Sequence, residues 1–428
     1  MLIEFSVVNY RSIKTRQTLS LAMAKGGELA GNNGFSPEAP NPVPLLRSAA
    51  IYGPNASGKS NFIEALRTMK RVVVTSASDS QRGDLLPLTP FRLDSETELE
   101  PSEFEVHFIA EGCRYQYGFS ATKERVMEEW LLAYPHGRPQ RWIGRKWSRE
   151  KKTYDWDRMS ALTGQKQLWQ DSTRPNALFL STAVQLNCKQ LEPVFDWFKR
   201  TLRLTTVTGW EPGYAASLCR EPEQRTKILD FLKAADIDIQ DIHVEVEKFS
   251  TKHLPDDMPD DFKEKILDDL KDREFFNIKT VHLSEQGKEI EFDFDDESDG
   301  TRKLFAFSGP WLDTLKNGFV MVVDELHDNL HPKLVEYLVQ LFHNSKSNPN
   351  DAQLIFTTHE TSILSQEFFR RDQIWFCDKD GHKATQLYPL TDFSPRKGRE
   401  NLEMAYLAGR YGAVPYVREL RAVAVGRE

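Results

Sequence analysis

The sequence predicts an α/β protein in which a mixed sheet carries an antiparallel β subdomain, together with a helical insertion. An apolar stretch at residues 47–52 leads through a glycine-rich turn into a helical stretch at 59–74, which is the order strand, loop, helix. Short alternating segments between residues 87 and 157 are typical of an antiparallel sheet. A second buried strand, at residues 319–323, follows a long acidic and partly helical stretch.

The remaining elements fit two halves of one domain around an insertion. Further strands are predicted at residues 2–9, 176–184, 278–283, 289–294 and 353–358, and further helices at 224–235, 260–272, 301–315 and from 332 onward. We therefore expect an N-terminal lobe at residues 1–189, a helical insertion at 190–277 and a C-terminal lobe at 278–428. The insertion lacks sustained heptads, which predicts a compact helical domain rather than a coiled-coil arm.

The composition excludes several classes of protein. The net charge of the 428 residues is −8, so the overall field does not attract nucleic acid, although a local basic patch stays open. The four cysteines form no CxxC pair, which argues against a zinc ribbon or a disulfide framework. The sequence has neither a signal peptide pattern nor an apolar run near the roughly 20 residues that span a bilayer. We expect a cytoplasmic protein with no membrane partner.

Residues 53–60 match the phosphate-binding P-loop pattern in full, between the predicted strand and helix. Glycines let backbone N–H groups turn toward phosphates, and the helix N-terminus adds a favourable dipole. Lys59 is expected to reach the β- and γ-phosphates, and the Ser60 hydroxyl to coordinate Mg²⁺. The alternative is a glycine-rich turn that only begins a helix. The residues expected to bind ATP here are Gly53, Pro54, Asn55, Ala56, Ser57, Gly58, Lys59, Ser60 and Asn61.

Two carboxylates and a histidine follow predicted buried strands. Asp324 and Glu325 end the strand at residues 319–323, and ligands of α/β proteins meet at the carboxyl ends of such strands. Asp324 is expected to hold Mg²⁺ through water, while Glu325 orients and deprotonates the attacking water; a helix N-cap is the alternative for Asp324. His359 closes another apolar strand, where its imidazole could sense the γ-phosphate or play a structural role.

A turn of small residues, Ser298, Asp299, Gly300 and Thr301, precedes a predicted helix. The N-terminus of a helix attracts anions. Because the chain already has a P-loop, this second anion site suits the phosphate of a nucleotide bound by another subunit. The alternative is an ordinary capped helix start.

Two other patterns receive structural interpretations. Residues 138–158 interleave arginines and lysines with aromatic side chains, which can grip nucleic acid, but a solvated hairpin with a buried aromatic face is favoured. His327 and His331 have a spacing that can bind metal on a helix, but Asn329 and Pro332 indicate a loop there and no third ligand can be named.

These residues together resemble the ABC-type ATPase heads of the SMC and double-strand-break-repair class. More closely, the chain resembles RloA/AbiLi-type ATP-binding proteins, which are described as AAA-family ATPases and associated with phage defence. The resemblance covers nearly the whole chain. It includes residues 9–13 (NYRSI), 52–60 (YGPNASGKS), 90–91 (PF), 174–181 (RPNALFLS), 324–325 (DE), 330–332 (LHP) and 406–415 (YLAGRYGAVP).

The resemblance implies an ABC/SMC-type P-loop ATPase head and further roles for single residues. Arg11 matches a basic residue that touches nucleotide phosphates, and Gln185 is the candidate Q-loop residue, which would coordinate Mg²⁺ and join the lobes. Residues 329–332 match the D-loop, which faces the partner subunit. The turn with Ser298, Gly300 and Thr301 stands where the ABC signature is expected, but it departs from the transporter-type sequence, which leaves the contact of Asp299 open.

Three functions remain in competition. The first is a Mg²⁺-dependent ATPase whose ATP sites are split across a homodimer, within a larger assembly or alone. It would regulate a separate RloB-like or nuclease-type effector in antiphage, abortive-infection defence. The second is a nuclease like the OLD type, although the segment after His359 shows no evident acidic cluster. The third is a DNA-repair or chromosome-associated SMC-like ATPase that binds DNA, which residues 138–158 alone support.

Overall fold

The computed structural model describes residues 1–206, 211–248, 258–259, 262–263, 266, 274–396, 398 and 400–415. The strands are β1 (Leu2–Val8), β2 (Gln17–Ser20), β3 (Gly34–Phe35), β4 (Leu45–Leu46), β5 (Ser48–Tyr52), β6 (Ser102–Ala110), β7 (Cys113–Ala121), β8 (Val126–Tyr134), β9 (Gln140–Ser148), β10 (Thr153–Trp156), β11 (Leu202–Thr206), β12 (Asp241–Lys248), β13 (Glu274–Leu283), β14 (Glu289–Asp293), β15 (Val320–Asp324), β16 (Gln353–Thr357), β17 (Ile374–Lys379) and β18 (Thr385–Pro389). The helices are α1 (Ala30–Asn33), α2 (Lys59–Thr75), α3 (Lys166–Ser172), α4 (Phe179–Gln185), α5 (Glu192–Asp196), α6 (Gly213–Cys219), α7 (Pro222–Ala234), α8 (Asp299–Asn317), α9 (Pro332–His343) and α10 (Leu402–Leu407).

The chain divides into two compact units. The first comprises Met1–Thr205, Gly318–His327 and the described residues from Leu338 onward. The second comprises the described residues of Thr206–Asn317 and Asp328–Tyr337.

A six-stranded mixed sheet in the first unit has the order β11-β15-β16-β5-β17-β18. The run β15-β16-β5-β17 is parallel, and β18 is antiparallel to β17. The carboxyl ends of β5, β15 and β16 therefore lie at one edge of the sheet, the edge where α/β proteins bind ligands. The P-loop, the acidic pair and His359 follow these three strands.

A seven-stranded sheet, also in the first unit, has the order β10-β9-β8-β7-β6-β1-β2. The six pairs of neighbouring strands in this sheet are all antiparallel, which confirms the predicted antiparallel subdomain. Along β6 the side chains of Phe104, Val106 and Phe108 are buried while Glu105 and His107 between them are partly exposed, as the two-residue period of a half-buried strand requires. The predicted α/β class, with a mixed sheet and an antiparallel subdomain, is thus confirmed.

The helix that follows the P-loop packs into the core of the first unit. Helix α2 buries Phe62, Leu66, Met69 and Val73, which recur every three or four residues on one face. The rings of Phe62 and Phe5 meet edge to face with centroids 5.3 Å apart. This burial holds the N-terminus of α2, and with it the P-loop, in a fixed place relative to β5.

The second unit contains a three-stranded antiparallel sheet, β12-β13-β14, beside helices α6, α7 and α8. This corrects the expected helical insertion at residues 190–277. The second unit begins at Thr206 rather than at residue 190, because residues 190–205 belong to the first unit, where they include α5 and most of β11, an edge strand of the mixed sheet. The pairing of β12 with β13 joins residues that are distant in sequence, from Lys248 with Glu274 to Asp241 with Val281, so a local sequence pattern does not predict it.

Two further expectations differ from the structure or lie outside it. The strand expected at residues 176–184 is wrong, because Phe179–Gln185 is a helix. The buried carboxylate of Glu129 accepts hydrogen bonds from the backbone N–H groups of Phe179 (2.7 Å) and Leu180 (3.0 Å), which satisfies the open N-terminus of this helix. The helix expected at residues 260–272 lies largely outside the described residues. No helix within the described ranges has both the length and the apolarity needed to cross a bilayer.

Candidate nucleotide-binding site

A pocket of about 410 Å³ lies at the N-terminus of α2. The residues that line it are Asn55, Ala56, Ser57, Gly58, Lys59, Ser60, Asn61, Glu325 and Lys379. Seven of the nine predicted P-loop residues are among them. The other two, Gly53 and Pro54, offer their carbonyl oxygens to Lys59 from within the same loop.

The hairpin formed by β17 and β18 lies so close to the P-loop that two loop positions have no room for a side chain. Gly53 has φ of 157° and Gly58 has φ of 112°, in the region that favours glycine. A Cβ at Gly53 would clash with the carbonyl oxygen of Cys377, and one at Gly58 would clash with the side chain of Thr385. The Thr385 hydroxyl also donates to the carbonyl of Ser57 at 2.9 Å. The hairpin therefore packs directly against the loop and fixes its course.

Lys59 lies between the P-loop carbonyls and the imidazole of His359. Its Nζ donates to Gly53 O at 2.7 Å and to Pro54 O at 3.1 Å, and it lies 3.3 Å from His359 Nε2. Burial lowers the pKa of His359 to about 4, and the charge of Lys59 adds to the shift. The imidazole is therefore neutral near pH 7, so Nε2 can accept from the ammonium. Burial also lowers the pKa of Lys59, against the opposing effect of Cys377, Asp324 and Glu325.

Thr357 organises the acidic pair, a role that sequence reasoning missed. Its hydroxyl donates to Asp324 Oδ1 at 2.6 Å and accepts from the backbone N–H of Glu325 at 2.7 Å. Glu325 has φ of 58°, a left-handed conformation that turns the chain sharply after β15. Asp324 is thus tied to the neighbouring strand while the exposed Glu325 lines the pocket. The only signal in the sequence is a hydroxyl two residues before His359.

Arg11 is near the P-loop helix but does not line the pocket. Its guanidinium lies 3.7 Å from the carboxylate of Glu64 on α2, and its side chain is 43% exposed. Its neighbour Ser12 is closer to the site: the Ser12 hydroxyl accepts from Asn61 Nδ2 at 2.7 Å and lies 2.8 Å from Thr385 Oγ1. The structure therefore connects Ser12, rather than Arg11, to a pocket-lining side chain.

The premise for Gln185 as a Q-loop residue is wrong. Gln185 is the exposed last residue of α4 and does not follow a strand. It is absent from the residues that line the P-loop pocket. Helix α4 exists because Glu129 caps it, so an apolar run that resembles a strand ends instead in a helical turn.

The turn expected to be a second anion site begins α8 in the second unit. The Ser298 hydroxyl accepts from the backbone N–H of Thr301 at 3.1 Å, so it caps the helix. The Asp299 carboxylate accepts a hydrogen bond from Arg302 Nη2 at 2.6 Å, so its negative charge is paired with a cation. Gly300 gives the turn a residue without a side chain. These contacts fit both the anion site and an ordinary capped helix start.

Several basic side chains of residues 138–158 form ion pairs within the first unit. Arg145 is buried 3.0 Å from the buried carboxylate of Glu129, with its guanidinium over the ring of Tyr154. Arg141 pairs with Asp157, and Lys151 pairs with Asp155. These pairs support the solvated hairpin rather than a nucleic-acid surface. Within the described part of the chain, no three His, Cys, Asp or Glu side chains are placed to hold a metal ion.

The chain resembles several solved structures at low sequence identity. An SMC head domain from Thermotoga maritima has 12% identity and a TM-score of 0.40, and the match covers 91% of this chain and 98% of that one. An SMC head bound to the C-winged helix domain of ScpA has 13% identity and a TM-score of 0.37, over 91% of this chain and 97% of that one. RecF, a recombination mediator protein of the RecFOR pathway, has 13% identity and a TM-score of 0.34, over 90% and 98%. No curated protein sequence matches the chain.

One family model matches most of the chain. The match runs over residues 48–365, which includes β5, the P-loop, the acidic pair and His359. The description of the family is "AAA domain, putative AbiEii toxin, Type IV TA system". The chain belongs to this AAA_21 family and is one of its P-loop ATPases.

Proposed function

We propose that this protein is a Mg²⁺-dependent, ABC-type ATPase that binds and hydrolyses ATP in composite sites between two copies of the chain, and that it regulates a separate effector. The observation that carries the proposal is the pocket shared by the P-loop and Glu325. Lys59 in that pocket also contacts His359. A cation for phosphates, a carboxylate for water and a neutral imidazole therefore meet at one edge of the mixed sheet.

The residues of the chain have separate tasks in hydrolysis. Lys59 exchanges its carbonyl partners for oxygens of the β- and γ-phosphates, and the P-loop N–H groups surround the same phosphates. Glu325 accepts a proton from water while the water oxygen bonds to the γ-phosphorus and the bond to the ADP oxygen breaks. His359 is neutral, so it can offer a ring N–H to the γ-phosphate when Lys59 moves away from it.

The residues fit a magnesium ion. Ser60 supplies a hydroxyl at the first turn of α2, and Asp324 has one carboxylate oxygen bonded to Thr357 and the other without a hydrogen bond among the described residues. Oxygen ligands of this kind suit Mg²⁺. When bound, the ion would neutralise charge on the β- and γ-phosphates. We do not include Gln185 in this ligand set, because it ends helix α4 and does not follow a strand.

The composite site rests on the turn at the start of α8. In the second unit, Lys303 near the start of this helix donates to the backbone carbonyl of Asp328 and lies 3.2 Å from its carboxylate. This contact joins the helix that begins after Ser298 to the segment that resembles the D-loop, so the two elements would face a partner together. ATP would favour the closed dimer by its higher affinity for that state.

The family match and the sequence resemblance support the proposed effector partner and role in phage defence. The family description names a toxin of a toxin–antitoxin system. The resemblance to RloA/AbiLi-type proteins points to a RloB-like or nuclease-type effector encoded nearby. Plaque assays in cells that carry the chain and its neighbours test this role. We expect Lys59→Ala to abolish protection; full protection with this variant would contradict an ATP-driven defence role.

A mixing experiment tests the composite site. Lys59→Ala removes the P-loop cation and Gly300→Asp places a carboxylate in the turn at α8, so each variant alone should lack turnover. A heterodimer of the two has one intact site, and equal mixing should restore about a quarter of the wild-type activity. Mixtures that stay inactive, although each variant dimerises, would contradict the split site.

A further inference from the structure

A second lysine reaches the pocket that contains the P-loop. Lys379, the last residue of β17, lines this pocket together with Lys59 and Glu325. Strand β17 lies beside β5, the strand that leads into the P-loop, and β16 lies on the other side of β5. Lys379 and His359 therefore flank the P-loop: Lys379 lies at the end of the strand on one side of β5, and His359 follows the strand on the other side.

The ammonium of Lys379 is available to a ligand. The side chain is exposed, and no hydrogen bond or ion pair of its ammonium is found within the part of the chain that the structure describes. Lys59, by contrast, is held by the carbonyls of Gly53 and Pro54. Two cations in one pocket repel each other, and an anion between them removes that cost.

Asp378 fixes the backbone at Lys379. Its Oδ1 accepts from the Lys379 N–H at 2.8 Å, and its Oδ2 accepts from the N–H of Ala413 at 2.9 Å. Tyr411, two residues before Ala413, is fully buried and stacks on Phe376 of β17 with ring centroids 5.4 Å apart. The carboxylate thus joins the end of β17 to a well-packed turn near the C-terminal end of the described chain.

We propose that Lys379 is a second cationic contact for the phosphates of the bound nucleotide, and that Asp378 is a positioning residue for it. The inference rests on the proposed nucleotide site. A nucleoside di- or triphosphate carries several negative charges, of which Lys59 balances one, and a charge-assisted hydrogen bond from a second ammonium adds affinity. The ligand class is therefore nucleoside polyphosphates, bound more tightly than the nucleoside alone.

The affinity of the full chain for a fluorescent ATP analogue tests the role of Lys379. Lys379→Gln should weaken binding about tenfold, the size of one charge-assisted hydrogen bond, whereas Lys379→Arg should retain most of the affinity. Lys383→Gln is the matched control, because Lys383 is exposed on the same hairpin and does not line the pocket. The melting temperature without nucleotide should be the same for all three variants.

The outcomes separate this inference from the proposed function. Wild-type binding that is lost with Lys59→Ala but unchanged with Lys379→Gln leaves the nucleotide site in place and overturns the role of Lys379. An equal loss of ATP affinity in Lys379→Gln and Lys383→Gln overturns it too, because the overall positive charge of the hairpin would then explain both losses. If the wild-type chain binds no ATP, the proposed function and this inference are both overturned.

A double-mutant cycle tests Asp378. If Asp378 acts through Lys379, Asp378→Ala should weaken ATP binding in the wild-type chain but not in the Lys379→Gln background. A loss of the same size in both backgrounds would show that Asp378 acts independently, which contradicts its positioning role.

Discussion

The hydroxyl of Thr357 donates a 2.6 Å hydrogen bond to the carboxylate of Asp324. The same oxygen accepts a 2.7 Å bond from the backbone N–H of Glu325, so one side chain on β16 fixes both members of the acidic pair at the end of β15. Asp324 and Glu325 are neighbours in sequence, yet this bond directs the first toward the adjacent strand while the second lines the pocket. The separation of their proposed tasks depends on it.

Replacement of Thr357 should therefore slow hydrolysis more than it weakens ATP binding. Thr357→Val keeps the shape but removes both hydrogen bonds, and a misplaced catalytic group of this kind costs about 100-fold in rate. Steady-state ATPase assays and nucleotide titrations measure the two quantities. Thr357→Ser keeps the hydroxyl and should stay within a few-fold of wild type. Normal turnover by Thr357→Val would contradict the organising role.

A methyl group at Gly58 should disable the P-loop. Gly58→Ala introduces a side chain at φ of 112° and against Thr385, so the loop must shift away from its course. We expect ATP binding to be lost while the rest of the fold persists, as circular dichroism can show. Gly381→Ala, on the same hairpin, has no atom within 4 Å of the added Cβ and serves as the control. Equal ATP affinity for both variants would contradict the described packing.

The stability of the first unit should depend on pH through His343. Burial, with a contribution from Arg47, lowers the pKa of His343 to about 3, while its Nε2 lies 2.7 Å from the Ser48 hydroxyl. An unfolded histidine titrates near 6.5, so between these values the unfolded chain binds the extra proton. The stability that depends on neutral His343 is present above about pH 6.5 and is lost as the pH falls toward 3.

Urea unfolding of the wild type and of His343→Gln at pH 7 and pH 4.5 measures this effect. The wild type should exceed His343→Gln in free energy of unfolding by less at pH 4.5 than at pH 7, because only the wild type must then lose a proton from His343 to fold. An advantage that is the same at both values would contradict the burial of a neutral imidazole.

The sequence predicts more of the nucleotide-binding site than of the second unit. The P-loop, the acidic pair and His359 each follow an apolar strand, and local patterns of that kind can be recognised from the sequence alone. Helix α4 cannot be predicted in this way, because its N-terminus is capped by Glu129, 50 residues earlier in the chain. Lys379 and Thr357 are missed for a similar reason. The role of Thr357 depends on the register of β16 beside β15, and that of Lys379 on the register of β17 beside β5.

Double-stranded DNA should leave the ATPase rate unchanged within about twofold, since several basic side chains of residues 138–158 are paired. Lys151 lies 2.8 Å from Asp155, and Lys146 lies 3.5 Å from Glu128. ATPase assays with and without DNA at low salt measure the effect. Strong stimulation that disappears in the Lys146→Gln, Lys151→Gln variant would favour the SMC-like function over the regulatory one.

The most direct test of the split ATP site combines ATPase activity with light-scattering mass for the wild type and Glu325→Gln. The substitution keeps the shape of the side chain but removes the proposed general base. We predict that Glu325→Gln loses turnover, retains ATP and forms a dimer that persists only with the nucleotide. Normal hydrolysis by this variant, or a mass that never responds to ATP, would contradict the account.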